Sequence, residues 1–313
     1  MGLKLASVKL LLPAIEATRG KRDARVLLLG KQDCYFSYDQ VTALLTKTGI
    51  AIESVPASER VLTDSFAFVA HEDWWKYRNF LHQKTFFRLF GFKDEQIDSM
   101  DVSGYEHANI IHDMNNPLTL GNPGYDLVID AGTLEHVFNV QQALWNICDL
   151  VRSGGRIVHI MPANMLDHGF YNFNSTLLAD FYAQAGWTEE ELVYIASPVK
   201  DIGARVIYVR IEPGKLEVPP GDFYLGLLGR FQKPNSATTK PVARQGLYVN
   251  LHDAWTRQSR DQSVHVAPPQ SRAWLMRLVS RFKATLSFYR AQFAARRLGG
   301  ELITFEEPLD DAR

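Results

Sequence analysis

An α/β fold, with a mostly parallel sheet and helices on both faces, is predicted by three features of the sequence. Short continuous apolar runs that suit strands buried on both faces occur at RVLLLG from Arg25, YDLVID from Tyr125 and GRIVHIMP from Gly155. Between the last two, GTLEHVFNVQQALWNICDLVRSGG places Leu134, Val137, Ala143, Leu144, Ile147 and Leu150 at helical spacing before a stop at Gly154 and Gly155. Strand, helix and strand in that order make a right-handed parallel crossover. Finally, the strand-like runs QIDSMDVS (96–103), ANIIHD (108–113) and YDLVID (125–130) each end on or just before an acidic residue.

The remaining elements follow in order. The segment from Met1 to Ile15 alternates apolar residues with Lys4 and Lys9 and has no small-residue cleavage site, so it reads as an amphipathic helix rather than a signal peptide. Residues 1–22 are thus expected to form an N-terminal helix ahead of a domain spanning 23–232. After the first strand, Asp39 to Thr48 reads as a helix. The stretch 48–94 is far longer than a usual strand-to-helix connection and carries Trp74, Trp75, Tyr77, Phe80, Phe86, Phe87 and Phe90. It is expected to be an aromatic-rich helical insertion, with Trp74, Trp75 and Tyr77 either lining or covering an acceptor pocket or forming the insertion's own small core. Beyond Pro162 come a polar and aromatic loop, a helix from Ser175 to Gly186, and the runs ELVYIA, ARVIYVRIE and FYLGLLGRF, of which the last two are expected to pair as antiparallel edge neighbours.

Residues 233–313 are expected to be an extension. KPNSATTKPV reads as a linker, and Ser271 to Leu298 as a helix. That helix carries an apolar stripe of Leu275, Leu278, Phe282, Leu286, Tyr289 and Phe293 beside seven arginines and lysines with no acid among them. The pattern suits packing on the chain's own core or on a second copy in a homodimer; peripheral membrane contact through 271–298 is the alternative.

Composition narrows the function classes. The 313 residues are 46% hydrophobic and 22% charged, enough for one full-sized core and no candidate for a disordered chain. Lys and Arg number 34 against 35 Asp and Glu, a net charge of −1, so no whole-chain field calls for nucleic acid. No uncharged apolar run reaches the roughly 20 residues that span a bilayer. The two cysteines, Cys34 and Cys148, lie in no pattern that binds zinc or staples a secreted fold; a reducing cytoplasm is the expected compartment, and no metal site is expected.

In an open parallel sheet, ligands bind beyond the carboxyl ends of the strands, near the point where strand order reverses. The residues closing the strands are Gly30, Asp101, Asp113, Asp130 and the run Pro162-Ala163-Asn164. They suit an adenosine-containing ligand. Gly30 lets backbone approach it, Asp101 can accept from both ribose hydroxyls, and Asp113 can accept from the adenine amino group. The first loop, GKQDCYFSYD, lacks the later glycines of a GxGxxG pattern and a following Lys-Ser/Thr pair, which argues against NAD and ATP.

On these residues the chain resembles class I S-adenosylmethionine-dependent methyltransferases, and most of all bacterial small-molecule methyltransferases of natural-product and polysaccharide pathways. The resemblance covers about Arg25 to Phe231 and is carried jointly by IIHDMNNP, YDLVIDAGTLEHVFN, LVRSGGRIVHIMPAN and HGFYNFNSTLL. It implies a Rossmann-like seven-stranded sheet with a closing antiparallel pair, and S-adenosyl-L-methionine as cofactor. By the same resemblance, Gly30, Lys31 and Gln32 stand at the cofactor loop, Asp101 at the ribose, Asp113 and Met114 at the adenine, and Asp130, Ala131 and Gly132 where cofactor and acceptor meet. The chain departs from the pattern in two places: the usual DxGxGxG loop is LLGKQDC here, and the aromatic insertion delays the second strand.

Methyl transfer is an in-line displacement, so alignment and exclusion of water carry most of the rate. A base is needed only for a protonated acceptor. His136, which opens the helix after YDLVID, and His168 and Tyr171, in the loop after GRIVHIMP, are the candidates, with a satisfied core histidine and an ordinary polar loop as the competing readings. The function expected is therefore methyl transfer to an O or N nucleophile of a small molecule. A non-catalytic scaffold of the same fold and, more weakly, an NAD-dependent oxidoreductase are the alternatives.

Overall fold

The computed structural model describes residues 2–63, 79–104, 106–119, 121, 124–198, 207–210, 223–236, 239–246 and 249. In chain order the elements are β1 (Gly2–Lys4), α1 (Leu5–Thr18), β2 (Val26–Leu29), β3 (Asp33–Tyr35), α2 (Tyr38–Lys47), α3 (Gln83–Arg88), β4 (Ile97–Asp101), β5 (Ile110–Ile111), β6 (Tyr125–Ala131), α4 (Val140–Leu150), β7 (Val151–Pro162), α5 (Ser175–Gln184), β8 (Thr188–Pro198), β9 (Ile207–Arg210) and β10 (Phe223–Gln232). Short 3-10 turns occupy Ala57–Glu59, Asp94–Gln96 and Leu134–His136. Local chemistry starts the helices where they start. Ser37 and Gln40 form a reciprocal capping box on α2, and Asn139 and Asn174 accept backbone N–H bonds at the heads of α4 and α5.

The main sheet has the order β5-β4-β2-β6-β7-β10-β8-β9, parallel from β5 through β7 and antiparallel beyond. The α/β class and the mostly parallel sheet are as the sequence predicts, but among the described residues the sheet has eight strands rather than seven, and the expected edge pairing is wrong. FYLGLLGRF, as β10, lies between β7 and β8, while β9, from ARVIYVRIE, pairs with β8. Burial explains the placement: Leu227 and Leu228 of β10 are both fully buried on opposite faces, which suits an interior strand. Chain order reverses around β2, which has β4 on one side and β6 on the other, so the ligand edge lies beyond Leu29, Asp101 and Ala131.

Alternate residues of the central strands feed two cores. Val26, Leu28, Leu127 and Ile129 join α1 and α2 on one face; Leu27, Leu29 and Val128 join α4 and α5 on the other. The N-terminal segment is a short strand followed by a helix, with β1 pairing in parallel with β3 as a separate two-stranded sheet. Phe86, Phe87 and Phe90 of the insertion pack into the same core as α1 and β2. At Gly229 of β10, an added Cβ would lie 2.8 Å from Phe231 and 2.9 Å from Leu178 of α5, so the bare backbone lets the helix sit close to the sheet.

Trp74, Trp75, Tyr77 and the helix expected over 271–298 lie outside the described residues. Among those described, no helix is long and apolar enough to cross a membrane. Cys34 and Cys148 are free and buried.

Candidate active site at the carboxyl ends of the strands

Gly30 closes β2 with φ +71°, in the left-handed region that glycine enters without strain, and its N–H donates to Met100 O at 2.6 Å. A Cβ placed there would lie 3.0 Å from Thr133 Oγ1 and 3.8 Å from both Asp101 Oδ2 and Gln32 Nε2. Three polar side chains, one from beyond each of three strand ends, therefore converge on one bare stretch of backbone. Thr133 Oγ1 and Gln32 Nε2 both donate to Leu29 O at 2.6 Å, and Asp101 Oδ1 accepts from Ser103 N at 3.1 Å.

Gln32 is 2% exposed, its N–H donates to Gln83 Oε1 of α3 at 2.7 Å, and its own Oε1 is buried without a hydrogen-bond partner. The insertion thus holds the loop after β2 through Gln83, a role the sequence did not suggest because 51 residues separate the two glutamines. Lys31 is buried beside them.

Asp113 organises its own loop, with Oδ1 accepting from Asn115 N at 2.9 Å and Asn115 Nδ2 at 2.8 Å, and Oδ2 from Asn116 Nδ2 at 3.1 Å. The buried Asn146 of α4 holds that loop from below, donating to Met114 O at 3.2 Å and Asn116 O at 2.8 Å. Met114 is 5% exposed and packs in the second core.

Asp130, which the sequence places where cofactor and acceptor meet, turns its side chain inward. It is fully buried, with Oδ1 accepting from Thr133 N at 3.1 Å and Leu134 N at 3.3 Å and Oδ2 lying 2.8 Å from His159 Nδ1. His159 Nε2 in turn lies 2.8 Å from Tyr182 Oη. A carboxylate can only accept, so Nδ1 donates and Nε2 accepts from the tyrosine hydroxyl. The carboxylate therefore shapes the turn 131–135, leaving Ala131 and Gly132 (φ +90°) as its outer backbone.

That turn delivers Glu135, which is 0% exposed, although neither of its carboxylate oxygens finds a hydrogen-bond partner in another residue. His136 Nε2 stands 3.9 Å and His168 Nε2 3.7 Å from Glu135 Oε1, and the two imidazoles meet edge to face at 5.4 Å. Burial, with Asp130's charge adding to it, pushes the Glu135 carboxyl up to about 8. Burial holds both histidines below their ordinary range, His168 adding to the effect at His136. The 163–174 loop is pinned to the turn by Phe170 N donating to Glu135 O at 2.7 Å and by Tyr171 Oη donating to Phe138 O at 2.8 Å. The structure thus brings His136 and His168 together, spends the Tyr171 hydroxyl on loop closure, and adds Glu135 between the two imidazoles.

Next to Ala131 lies a small, open cleft whose lining includes Gly2, Lys4, Ala131, Met161, Met165 and Tyr224. Burial lowers the Lys4 ammonium pKa.

No protein-family model matches the chain, and no curated protein matches it. Solved structures similar to it include one described for the conversion of a disulfide bond into a thioacetal group during echinomycin biosynthesis, 12% identical over 82% of this chain and 89% of that one, TM-score 0.36. Another is the 1,6-didemethyltoxoflavin-N1-methyltransferase of Burkholderia thailandensis with 1,6-didemethyltoxoflavin and S-adenosylhomocysteine bound, 11% identical over 71% and 77%, TM-score 0.31. A third is the N-methyltransferase NodS of Bradyrhizobium japonicum WM9, 14% identical over 73% and 94%, TM-score 0.32.

Proposed function

We propose that this protein transfers the sulfonium methyl group of S-adenosylmethionine to an O or N nucleophile of a small molecule. The observation that carries this reading is the convergence of Gly30, Gln32, Asp101 and Thr133 at the reversal of strand order. A cradle that one Cβ would fill, with an acid beside it and no glycine-rich phosphate loop, suits a nucleoside rich in donors and free of phosphate. The unpartnered, buried Gln32 Oε1 is an acceptor awaiting a donor, which the ligand's amino group can supply.

In this reading Asp101 takes the ribose hydroxyls, Lys31 and Gln32 line the methionine side, Met114 and the loop organised by Asp113 face the purine, and the backbone of Ala131 and Gly132 lies between cofactor and acceptor. When bound, S-adenosylmethionine supplies an electrophilic methyl carbon. The chain's own residues position and desolvate: the buried loops exclude water, and the cleft beside Ala131, lined largely by apolar side chains, takes the body of the acceptor. Where the acceptor carries a proton, His136 and His168 are the groups at hand to receive it.

Isothermal calorimetry with S-adenosylhomocysteine tests the reading. Binding at micromolar dissociation constants, weakened at least about tenfold by Asp101→Ala (the loss of one charge-assisted hydrogen bond), is the expected result. No binding by the intact chain overturns it.

A further inference from the structure

The geometry points to Glu135, His136 and His168 as a binding site for one first-row divalent transition-metal ion. One potential ligand atom from each, a carboxylate oxygen and two imidazole nitrogens, lie within 4.8 Å of one another. The relevant separations from Glu135 Oε1 are 3.9 Å to His136 Nε2 and 3.7 Å to His168 Nε2. Donors about 2.0–2.2 Å from a tetrahedral ion stand about 3.4 Å apart, so shifts of a few tenths of an ångström bring each histidine to ligand spacing from Glu135, and the two imidazole nitrogens, within 4.8 Å of each other, close by side-chain rotation.

Burial supplies an independent observation. A carboxylate fully removed from water is costly unless something compensates it. Glu135 is 0% exposed, no other residue donates to either of its oxygens, and His168 Nε2, aimed at it, is also buried without a hydrogen-bond partner. An ion placed among them satisfies all three atoms at once.

The backbone is arranged around this juxtaposition. Asp130 caps the turn that presents Glu135, Phe170 N fastens the 168–170 segment to Glu135 O, and Gly169 permits the approach, since a Cβ there would stand 2.8 Å from that same oxygen. Two nitrogens and one oxygen select Zn²⁺, Fe²⁺, Co²⁺ or Ni²⁺ over Mg²⁺ and Ca²⁺, which take all-oxygen shells. Three protein ligands leave coordination positions open, as in sites where a metal meets a small molecule rather than sites that only staple a fold. The sequence hides the set because His168 lies 33 positions from Glu135, outside any short zinc spacing.

The assignment does not depend on the methyl-transfer reading, because ion binding and S-adenosylhomocysteine binding are measured separately; with an ion bound the ligating imidazole lone pairs are taken, so the proton-accepting role of the two histidines belongs to the metal-free chain. The full chain, stripped with chelator, is titrated with Zn²⁺ in the calorimeter and with Co²⁺ in the visible spectrometer. One ion per chain, with ligand-field bands typical of a four- or five-coordinate Co²⁺, is expected, together with affinity at least about 100-fold lower in His168→Ala, His136→Ala and Glu135→Gln. Circular dichroism and melting temperature identify any variant that has lost its fold. His168→Ala, which truncates a side chain on a surface loop, is the variant most expected to keep it. No stoichiometric binding by the intact chain, or unchanged binding in folded His168→Ala, overturns the assignment.

Discussion

His159 Nδ1 lies 2.8 Å from Asp130 Oδ2, the two residues face each other in the β6–β7 register, and neither side chain is exposed to solvent. This pair is the hub of a buried polar chain that runs through Tyr182 to α5 and through the Asp130 cap to the turn carrying Glu135. Replacing His159 by leucine strands a buried carboxylate and a buried hydroxyl together, whereas Tyr182→Phe removes one hydroxyl from an otherwise intact pair. Urea denaturation is expected to show a loss of about 3 kcal/mol or more for His159→Leu and about 1 kcal/mol for Tyr182→Phe. Equal losses would remove the hub role from His159.

Gly30→Ala forces a residue with a side chain to φ +71° and sets its methyl group 3.0 Å from Thr133 Oγ1. Stability is expected to fall by about 1–2 kcal/mol. The same methyl group fills the proposed cradle, so affinity for S-adenosylhomocysteine should fall at least tenfold in the folded variant. Melting curves and calorimetry on one preparation separate the two effects.

Gly169→Ala brings its new carbon 2.8 Å from Glu135 O and 3.0 Å from Glu135 Cγ. Relief comes from shifting the 168–170 segment, which breaks the Phe170-to-Glu135 hydrogen bond. A stability cost of about 1–3 kcal/mol is expected, together with a changed or absent cobalt spectrum. An unaltered spectrum would show that the loop accommodates the methyl group without moving His168.

Burial pushes the Cys148 thiol up to about 12 and raises the Cys34 thiol as well, Asp33 contributing to the latter. Both should resist iodoacetamide in the native protein at pH 8 and react once it is unfolded in urea. The sign of the pH effect follows from the same shifts. The unfolded thiols ionise near 9 while the folded ones stay protonated, so the folded state binds more protons above that point. Stability should be indifferent to these groups below pH 8 and decline as pH rises from about 9 toward 12, a decline that Cys148→Ala and Cys34→Ala should each lessen.

What the sequence could disclose was the part written locally. Buried parallel strands are apolar runs, so the ends at Gly30, Asp101 and Asp130 were visible, and with them the edge where strand order reverses. What those side chains do was less visible, because it depends on partners far along the chain. Asp130 looks like a ligand contact until His159 is placed opposite it, and nothing near Gln32 in the sequence announces that Gln83 of the insertion holds its backbone. Glu135 reads as an ordinary acid near a helix start; its burial comes from the loop around Gly169 folding over it. The strand order at the antiparallel end was lost for a related reason. Three consecutive β runs admit more than one pairing, and only the burial of Leu227 and Leu228 on opposite faces puts β10 inside.

The missing side chain at Gly229 governs how close α5 can come to the sheet, because Leu178 already occupies the space that any larger residue would need. A wedge inserted there would lift the helix at its first turn, and Tyr182, one turn farther along, would draw its hydroxyl away from His159. The thickness of a single carbon beneath α5 is in this way mechanically linked to the turn that carries Glu135.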